Sequence, residues 1–234
     1  MMERPLMMSP PGAEVRLDGK NYLYFAGTAY FNLQSDSRII AAANKASSAW
    51  GVGTATSRSL AGTSPLLLEL EEKIAAYFKS DDAVFLPSGY LSNLAGLKAM
   101  KEMNLFDVIL LDENSHYSLF DGAAALGLPI IRFTHRHVRS LKSNLESTSA
   151  KMQRALIVTD GLFPVTAQLA PLDRYLELAE RYDALIWVDD AHGVGILGEN
   201  GRGSIEHFGL DSPRIYMGAT LSKAFGGYGG ILCG

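Results

Sequence analysis

The chain has 234 residues, of which 47% are hydrophobic and 20% charged, a composition typical of a globular protein with a substantial buried core. Its 21 basic and 25 acidic residues give a formal net charge of −4, and no basic block could follow a nucleic-acid backbone. The single cysteine cannot form a disulfide within the chain, and no apolar run has the form of a signal peptide or a membrane span. We therefore expect a cytoplasmic protein with neither nucleic acid nor membrane as a partner.

Two helices and a loop are predicted in the first third of the chain. Amphipathic patterns indicate helices over Asp36–Trp50 and Ser64–Phe78, and the second has Ser64 and Pro65 as a cap and first turn. Residues 51–62 between them are rich in glycine, serine and threonine and predict a loop.

From Ala83 onward, short apolar, β-branched runs alternate with segments of helical period. Seven strands are predicted, over Ala83–Leu86, Val108–Leu111, Ile130–Phe133, Ala155–Thr159, Leu185–Val188, Arg214–Met217 and Gly230–Cys233. Four helices are predicted between them, over Tyr90–Met103, Ser118–Leu126, Val138–Leu145 and Leu172–Tyr182, the last with Pro171 in its first turn. This alternation is typical of an α/β fold with a largely buried sheet.

The segment Asp189-Asp190-Ala191-His192-Gly193 carries the first chemical signal. It follows a predicted strand, so Asp189 is expected at the carboxyl edge of the sheet, where α/β folds bind ligands. A buried carboxylate needs a partner, and a ligand cation would satisfy it. The ring nitrogen of pyridoxal phosphate (PLP) is such a cation. Taken alone, the pentapeptide is equally consistent with a turn that carries acidic capping residues.

The segment Thr220-Leu221-Ser222-Lys223-Ala224 places a lysine among small residues, just beyond another predicted strand. A partly buried lysine with a lowered pKa can form an imine with a carbonyl cofactor. Thr220 can offer a hydroxyl to a phosphate. The alternative is an exposed lysine in an ordinary loop.

Two further segments follow predicted strands at the same edge. Ser88-Gly89-Tyr90 precedes a helix, where backbone N–H groups and the helix dipole favour an anion, although a Ser-Gly turn is also an ordinary cap. His116 could stack its flat ring on a pyridine, although a lone histidine in such a place is usually structural. No metal site is predicted.

Several motifs in order, SGY, NSHYS, TDG, VDDAHGVGILGENGRG and TLSKAFGG, resemble the α-oxoamine synthase family of fold-type I PLP enzymes. The resemblance runs from Tyr22 to Gly234 and includes GTATSRSLAGTSPLLLELEEKIAAYF. It implies the large domain of a fold-type I PLP-dependent transferase, with a mostly parallel sheet flanked by helices and an N-terminal arm. Residues 1–50 would form the arm and its helix, and 51–234 a PLP-binding domain without the family's small C-terminal domain.

The resemblance also implies roles for the catalytic residues. Lys223 would hold PLP as a Schiff base and later move the proton at the substrate α-carbon. Asp189 would pair with the pyridinium nitrogen, His192 would contact the phenolic oxygen of the ring, and His116 would stack on its face. Phosphate contacts would come from a cofactor-binding set made of Ser88, Gly89, Tyr90 and Thr220.

The activity implied is condensation of a small amino acid with an acyl-CoA thioester, with loss of CO2, to give an α-amino ketone. A homodimer is implied as well, and 51–62 is the segment that we expect to cross the interface. Transamination or aldol cleavage on the same scaffold remains an alternative, as does a PLP-fold subunit without catalytic activity.

Three departures from the family pattern bear on the activity. Pro164 replaces a serine and removes one hydrogen bond to the phenolic oxygen, and Thr28 replaces an asparagine that helps to hold the amino acid. The chain also stops before the C-terminal arginine that clamps the substrate carboxylate in the family. We therefore expect these 234 residues alone to turn over poorly.

Overall fold

A computed structural model describes residues 4–234 of the chain. Its first elements are a β-hairpin, a short 3-10 helix and two α-helices: β1 (Glu14–Leu17), β2 (Lys20–Leu23), the 3-10 helix Leu33–Ser35, α1 (Ser37–Trp50) and α2 (Pro65–Phe78). Both predicted helices are confirmed. Each begins one residue later than predicted, because Asp36 and Ser64 are caps whose side chains accept backbone N–H groups of the first turn. The hairpin was not predicted.

The rest of the chain alternates between strands and helices. In chain order its elements are β3 (Ala83–Leu86), α3 (Gly89–Glu102), β4 (Val108–Asp112), α4 (Tyr117–Ala124), β5 (Ile130–Phe133), α5 (Val138–Ala150), β6 (Ala155–Asp160), β7 (Leu162–Phe163), β8 (Gln168–Leu169), α6 (Leu172–Arg181), β9 (Leu185–Asp189), α7 (Ser204–His207), β10 (Ile215–Thr220) and β11 (Gly230–Cys233). All seven predicted strands and all four predicted helices are present. The prediction missed the short β7–β8 hairpin and α7, ended α5 five residues early, and placed Pro171 in the first turn although it is the N-cap of α6.

Seven strands form one sheet in the order β3-β11-β10-β9-β6-β4-β5, in which β11 alone runs against its neighbours. The predicted mostly parallel sheet is therefore confirmed. Because parallel strands end at the same edge, the residues that follow β3, β4, β6, β9 and β10 are brought together there.

Helices cover both faces of the sheet, and alternate residues of each central strand point to opposite layers. In β4, Val108 and Leu110 pack with α5 and α6, whereas Ile109 and Leu111 pack with α3 and α4. These four residues are fully buried, as expected for a strand covered on both faces.

Helix α1 is different, because none of its residues is buried within the described part of the chain, residues 4–234. Its apolar residues include Ile40 and Trp50, both exposed. The division of the chain at residue 50 stays a prediction. Within the same residues, none of the helices has the length and apolar character that crossing a membrane requires.

Close packing of α3 on the sheet depends on Gly96. A Cβ at this position would lie 1.9 Å from a ring carbon of Trp187 in β9. Since the buried indole cannot move away without disturbing its neighbours, we expect Gly96→Ala to lower the free energy of unfolding by about 1–3 kcal/mol, even though alanine favours helix. Urea unfolding measures this.

Ser147→Ala is the control, because Ser147 is an exposed residue of α5 outside the segment expected at the dimer interface. It should change the free energy of unfolding by less than about 0.5 kcal/mol. Equal stability of Gly96→Ala and the wild type would contradict the packing described for α3.

Candidate active site

One cavity of about 200 Å³ opens at the carboxyl edge of the sheet. Its lining includes all eight residues predicted for cofactor binding and catalysis: Ser88, Gly89, Tyr90, His116, Asp189, His192, Thr220 and Lys223. A larger open groove of about 910 Å³ lies near the opposite edge, beside Phe78 and Gly234, and is lined by none of these eight. The fold therefore gathers four separated segments of the sequence into one place.

Lys223 lies in the loop after β10, and its Nζ is 2.7 Å from Nε2 of His192. The other ring nitrogen of His192, Nδ1, is 2.6 Å from the hydroxyl of Tyr30 in the N-terminal arm. Burial, and then the charge of Lys223, lower the pKa of His192 to about 4. Burial also lowers the pKa of Lys223, against the opposing pull of Asp189 and Asp160. The environment thus favours a neutral histidine and eases loss of the lysine proton.

Asp189 ends β9 and is 7% exposed. One carboxylate oxygen accepts a hydrogen bond of 2.6 Å from the side-chain amide of Asn93, and the other accepts the backbone N–H of Ala191 at 3.1 Å. Both bonds are to neutral donors. The carboxylate is therefore held in place at the cavity wall without being neutralised by them.

His116 is the N-cap of α4, and its ring lies 4.0 Å from the ring of Tyr117, centroid to centroid. Its backbone N–H donates to Asp160 at 2.8 Å, and its Nδ1 is 2.7 Å from the hydroxyl of Ser118. Burial lowers the pKa of the imidazole; the charge of Asp189 opposes this, and Lys223 adds a smaller effect in the direction of burial. His116 thus offers a flat, neutral ring to the cavity.

The anion side of the cavity is the N-terminus of α3. The hydroxyl of Ser88 accepts the N–H of Leu91 at 3.2 Å, so this serine is a helix cap, and the N–H groups of Gly89 and Tyr90 come first in the helix. A Cβ on Gly89 would lie 2.7 Å from Cβ of Thr220, which explains why the position holds a glycine.

Thr220 differs from the expectation in one respect. Its hydroxyl donates to the carbonyl of Gly229 at 2.8 Å and is 2.8 Å from the hydroxyl of Ser222. A hydroxyl has one proton, so Thr220 as positioned does not donate into the cavity. Ser222, which also lines the cavity, is the second hydroxyl at this place.

Asp160, at the end of β6, is a cavity residue that the sequence reasoning missed. It is 2% exposed, and burial, followed by the charge of Asp189, raises its pKa to about 8.

Asp190 is fully buried away from the cavity lining, and its carboxylate accepts the N–H of Ser204 at 2.6 Å. Of the two adjacent aspartates, Asp189 therefore faces the cavity, and Asp190 hydrogen-bonds the first residue of α7 to the loop that follows β9.

Other contributors were also missed: Tyr30, Gln34, Asn93, Ser118 and Ser222. Tyr30 and Gln34 reach the site from the N-terminal arm, and the amide of Gln34 donates to the carbonyl of Lys223 at 2.9 Å. Proximity to a motif could have flagged Ser118 and Ser222, whereas the other three carry no signal in the sequence.

Pro164 and Thr28, the two residues that depart from the family pattern, lie away from the cavity lining. Pro164 is exposed in the turn between β7 and β8, and Thr28 is exposed in the N-terminal arm. The structure therefore gives neither residue a direct part in this cavity.

The fold and the site define a class of protein. The family model described as aminotransferase class I and II matches residues 21–234, and the chain belongs to this family. The curated relatives carry a more specific name than the family model. The chain is 41% identical over 226 residues to 8-amino-7-oxononanoate synthase of Thermosipho melanesiensis, and 39% identical over 229 residues to that of Fervidobacterium nodosum. Each alignment covers 97% of this chain, which spans 57% and 58% of the two relatives.

Solved structures with a similar fold carry related names. A serine palmitoyltransferase from S. paucimobilis with a bound PLP–myriocin aldimine superposes with a TM-score of 0.90 at 28% identity, covering 98% of this chain and 57% of that one. An 8-amino-7-oxononanoate synthase from Francisella tularensis gives 0.74 at 26% identity, covering 89% and 57%. These comparisons confirm the predicted fold and the resemblance to α-oxoamine synthases, and they agree with PLP as the cofactor class.

The raised pKa of Asp160 gives a test of the site without any ligand. The carboxyl binds its proton more tightly in the folded than in the unfolded chain, so it lowers stability progressively as the pH rises from about 4 towards about 8. Asp160→Asn removes this effect and can still accept the N–H of His116. Its stability relative to wild type should therefore increase by more than about 1 kcal/mol across that range.

Urea unfolding of the ligand-free protein at several pH values measures the difference. Asp211→Asn, at an exposed position, is the control and should follow the wild type. Parallel pH curves for Asp160→Asn and the wild type would show that the carboxyl is not perturbed.

Proposed function

We propose that the chain binds PLP in the cavity at the carboxyl edge of the sheet. We further propose that the whole protein condenses a small amino acid with an acyl-CoA thioester to an α-amino ketone, as in an 8-amino-7-oxononanoate synthase of biotin biosynthesis. The observation that carries the proposal is the amine of Lys223, held 2.7 Å from His192 in the same cavity as Asp189. A cytoplasmic location belongs to the same proposal.

The residues present fit the cofactor. The carboxylate of Asp189 is almost buried and bonded only to neutral donors, so a protonated ring nitrogen would supply the missing charge. Across the cavity, the first N–H groups of α3, at Gly89 and Tyr90, are placed for a phosphate. Lys223 lies on the same lining, with a pKa lowered by burial.

Each of these residues has a distinct task. When bound, PLP supplies a sink for the electron pair left at the substrate α-carbon. Lys223 would hold the carbonyl carbon of the cofactor, and its amine would move the proton at the substrate α-carbon. Asp189 would keep the ring nitrogen protonated, His116 would stack on the ring face, and His192 would contact the phenolic oxygen.

The overall reaction balances with three changes at the substrates. The carboxylate of the amino acid leaves as CO2, and a carbon–carbon bond forms between the α-carbon and the acyl carbon. The bond from that carbon to sulfur breaks, and the CoA thiolate leaves and takes up a proton. Burial of Lys223 suits this chemistry, because a neutral amine is the form that accepts a proton.

Transamination is the alternative with specific support, since the matched family is described by that activity. The same lysine and carboxylate would serve, and the products would differ: a keto acid in place of CO2 and free thiol. Aldol cleavage is a further alternative on the same scaffold. A subunit without catalytic activity would not need an amine in the cavity, and Lys223 is there.

Reconstitution with PLP tests the proposal. For the whole protein we expect a visible absorption band in the wild type, its loss in Lys223→Ala, and release of CoA thiol when alanine or glycine and an acyl-CoA are added. Lys98→Ala, which removes an exposed lysine of α3, is the control and should keep both signals.

The outcomes separate the parts of the proposal. A visible band that survives Lys223→Ala would overturn the assignment of the lysine. A lysine-dependent band with no thiol release for any acyl-CoA, but with formation of a keto acid, would establish transamination instead. The relative from Thermosipho melanesiensis, assayed in parallel, shows that the acyl-CoA series is adequate.

We also propose that the protein is a homodimer. Apolar side chains are concentrated on the surface of residues 4–60, where Phe25 is 90% and Leu60 81% exposed, and Trp50 and Val52 are exposed as well. Residues 51–61 are exposed throughout. An apolar surface of this kind is typical of an interface, and a second copy of the chain would cover it.

Charges placed in this surface should therefore weaken association. We expect the double variant Val52→Asp, Leu60→Asp to raise the dissociation constant of the dimer at least tenfold, because two buried carboxylates would lack partners. Analytical ultracentrifugation measures the constant. Met152→Asp, at a residue 93% exposed near the end of α5, is the control. A wild-type monomer, or an unchanged dimer in the double variant, would contradict the proposal.

A further inference from the structure

The side chain of Asn93 is buried in α3 between the sheet and the cavity, and its orientation is determined by Trp187. The indole Nε1 lies 3.0 Å from Oδ1 of Asn93, and both side chains are nearly inaccessible to solvent. An indole N–H can only donate, so the amide oxygen must face it. The amide nitrogen of Asn93 is consequently turned towards the cavity wall.

Both hydrogens of that nitrogen have acceptors. Nδ2 of Asn93 is 2.6 Å from Oδ2 of Asp189 and 2.9 Å from Oγ of Ser118. With the indole on its oxygen, the amide is bonded at each polar atom. A side chain held at three points can rotate only by breaking several buried hydrogen bonds, and each of these is costly to leave unmade.

The direction of donation continues from Ser118 to His116. Because Ser118 accepts from Asn93, its own proton is available for Nδ1 of His116, 2.7 Å away. The backbone N–H of Ser118 points to the same nitrogen at 3.3 Å. Two donors converge on Nδ1, so this nitrogen carries no proton, and the proton of the neutral ring is on Nε2.

We propose that Asn93 and Ser118 are positioning residues of the cofactor site, in which one amide both orients the carboxylate of Asp189 and, through Ser118, holds His116 as the neutral imidazole protonated on Nε2. This inference rests on the proposed function for its purpose, since Asp189 and His116 are the residues proposed to contact the PLP ring. Its geometry, however, is a property of the protein without a ligand.

The arrangement has a chemical consequence for the ring. Asp189 and His116 would contact different parts of the cofactor, the ring nitrogen and the ring face. Both are connected to the amide of Asn93, Asp189 directly and His116 through Ser118, so their relative position is set before anything binds. Lys223, Asp160, Asp189 and Tyr117 surround His116 and include charged groups of both signs. Without the donors at Nδ1, the histidine would be free to exchange tautomers or take up a proton under their influence.

Long-range 1H–15N spectra of the histidines in ligand-free protein provide the direct test. We expect His116 to appear as the Nε2-protonated tautomer, with an unprotonated Nδ1. Ser118→Ala removes one donor, and Asn93→Leu removes the amide while retaining much of the volume. In both variants the His116 signals should shift towards a mixture of tautomers. Thr148→Val, which deletes a buried hydroxyl in α5 away from the site, is the matched control.

Affinity for PLP gives a second readout that separates the two branches. Asn93→Leu removes a donor from Asp189 and should weaken binding by about tenfold to a hundredfold, the range expected for a hydrogen bond to a charged group. Ser118→Ala leaves that donor in place and should weaken binding less. If Asn93→Leu fails to fold, as judged by its unfolding transition, the tautomer in Ser118→Ala decides the matter.

The inference is overturned if wild-type His116 is protonated on Nδ1, or if its tautomer in Ser118→Ala matches that in Thr148→Val. These spectra need no cofactor. If the wild type shows the expected tautomer but binds no PLP, the proposed function fails while the positioning by Asn93 and Ser118 stands.

Discussion

Burial of three carboxyl groups at one edge of the sheet is the constraint on which the site depends. Asp160, Asp189 and Asp190 end or follow two adjacent parallel strands, and each is less than a tenth exposed. Charges so close together and so poorly solvated raise the pKa of Asp160 and Asp190, to about 8 and about 7, chiefly through burial. Asp189 instead accepts the side-chain amide N–H of Asn93 at 2.6 Å and faces the cavity.

Their contacts distinguish Asp160 and Asp190 from Asp189. Asp190 holds the backbone of α7, and Asp160 holds the backbone of His116, so both act as hydrogen-bond acceptors within the protein. Asp189 keeps a carboxylate at the cavity wall beside the lysine loop. A cation placed there by a ligand completes the set of charges, which is the physical basis for proposing PLP.

The N-terminal arm belongs to the same site, although it is far away in the sequence. Tyr30 contacts His192 across 162 positions, and Gln34 donates to the carbonyl of Lys223 across 189. The lysine loop is thus held by the sheet on one side and by the arm on the other. This supports the lysine in a defined position, whereas a loop of small residues by itself would be mobile.

Local patterns predicted most of the fold. The strands of the central sheet are continuous apolar runs because both of their faces are buried, so β4, β6 and β9 were found within one residue of their bounds. Among the helices, α6 has the clearest 3.6-residue period. Elements with too few residues for a period, such as the β7–β8 hairpin and α7, were not found. The amphipathic pattern of α1 identified a helix but not its partner surface, since none of its residues is buried within residues 4–234.

The sequence by itself determined the order of the strands along the chain and the residue types placed at their carboxyl ends, because these follow from local periodicity and from motifs of adjacent residues. Together with the resemblance of the ordered motifs to a known family, this predicted that Lys223, Asp189, His192 and His116 lie close together, and the structure places all four on the lining of one cavity. Only the tertiary structure decided which groups support them. Asn93, Tyr30 and Asp160 act through hydrogen bonds between distant segments, and such contacts depend on packing and burial that no local pattern encodes.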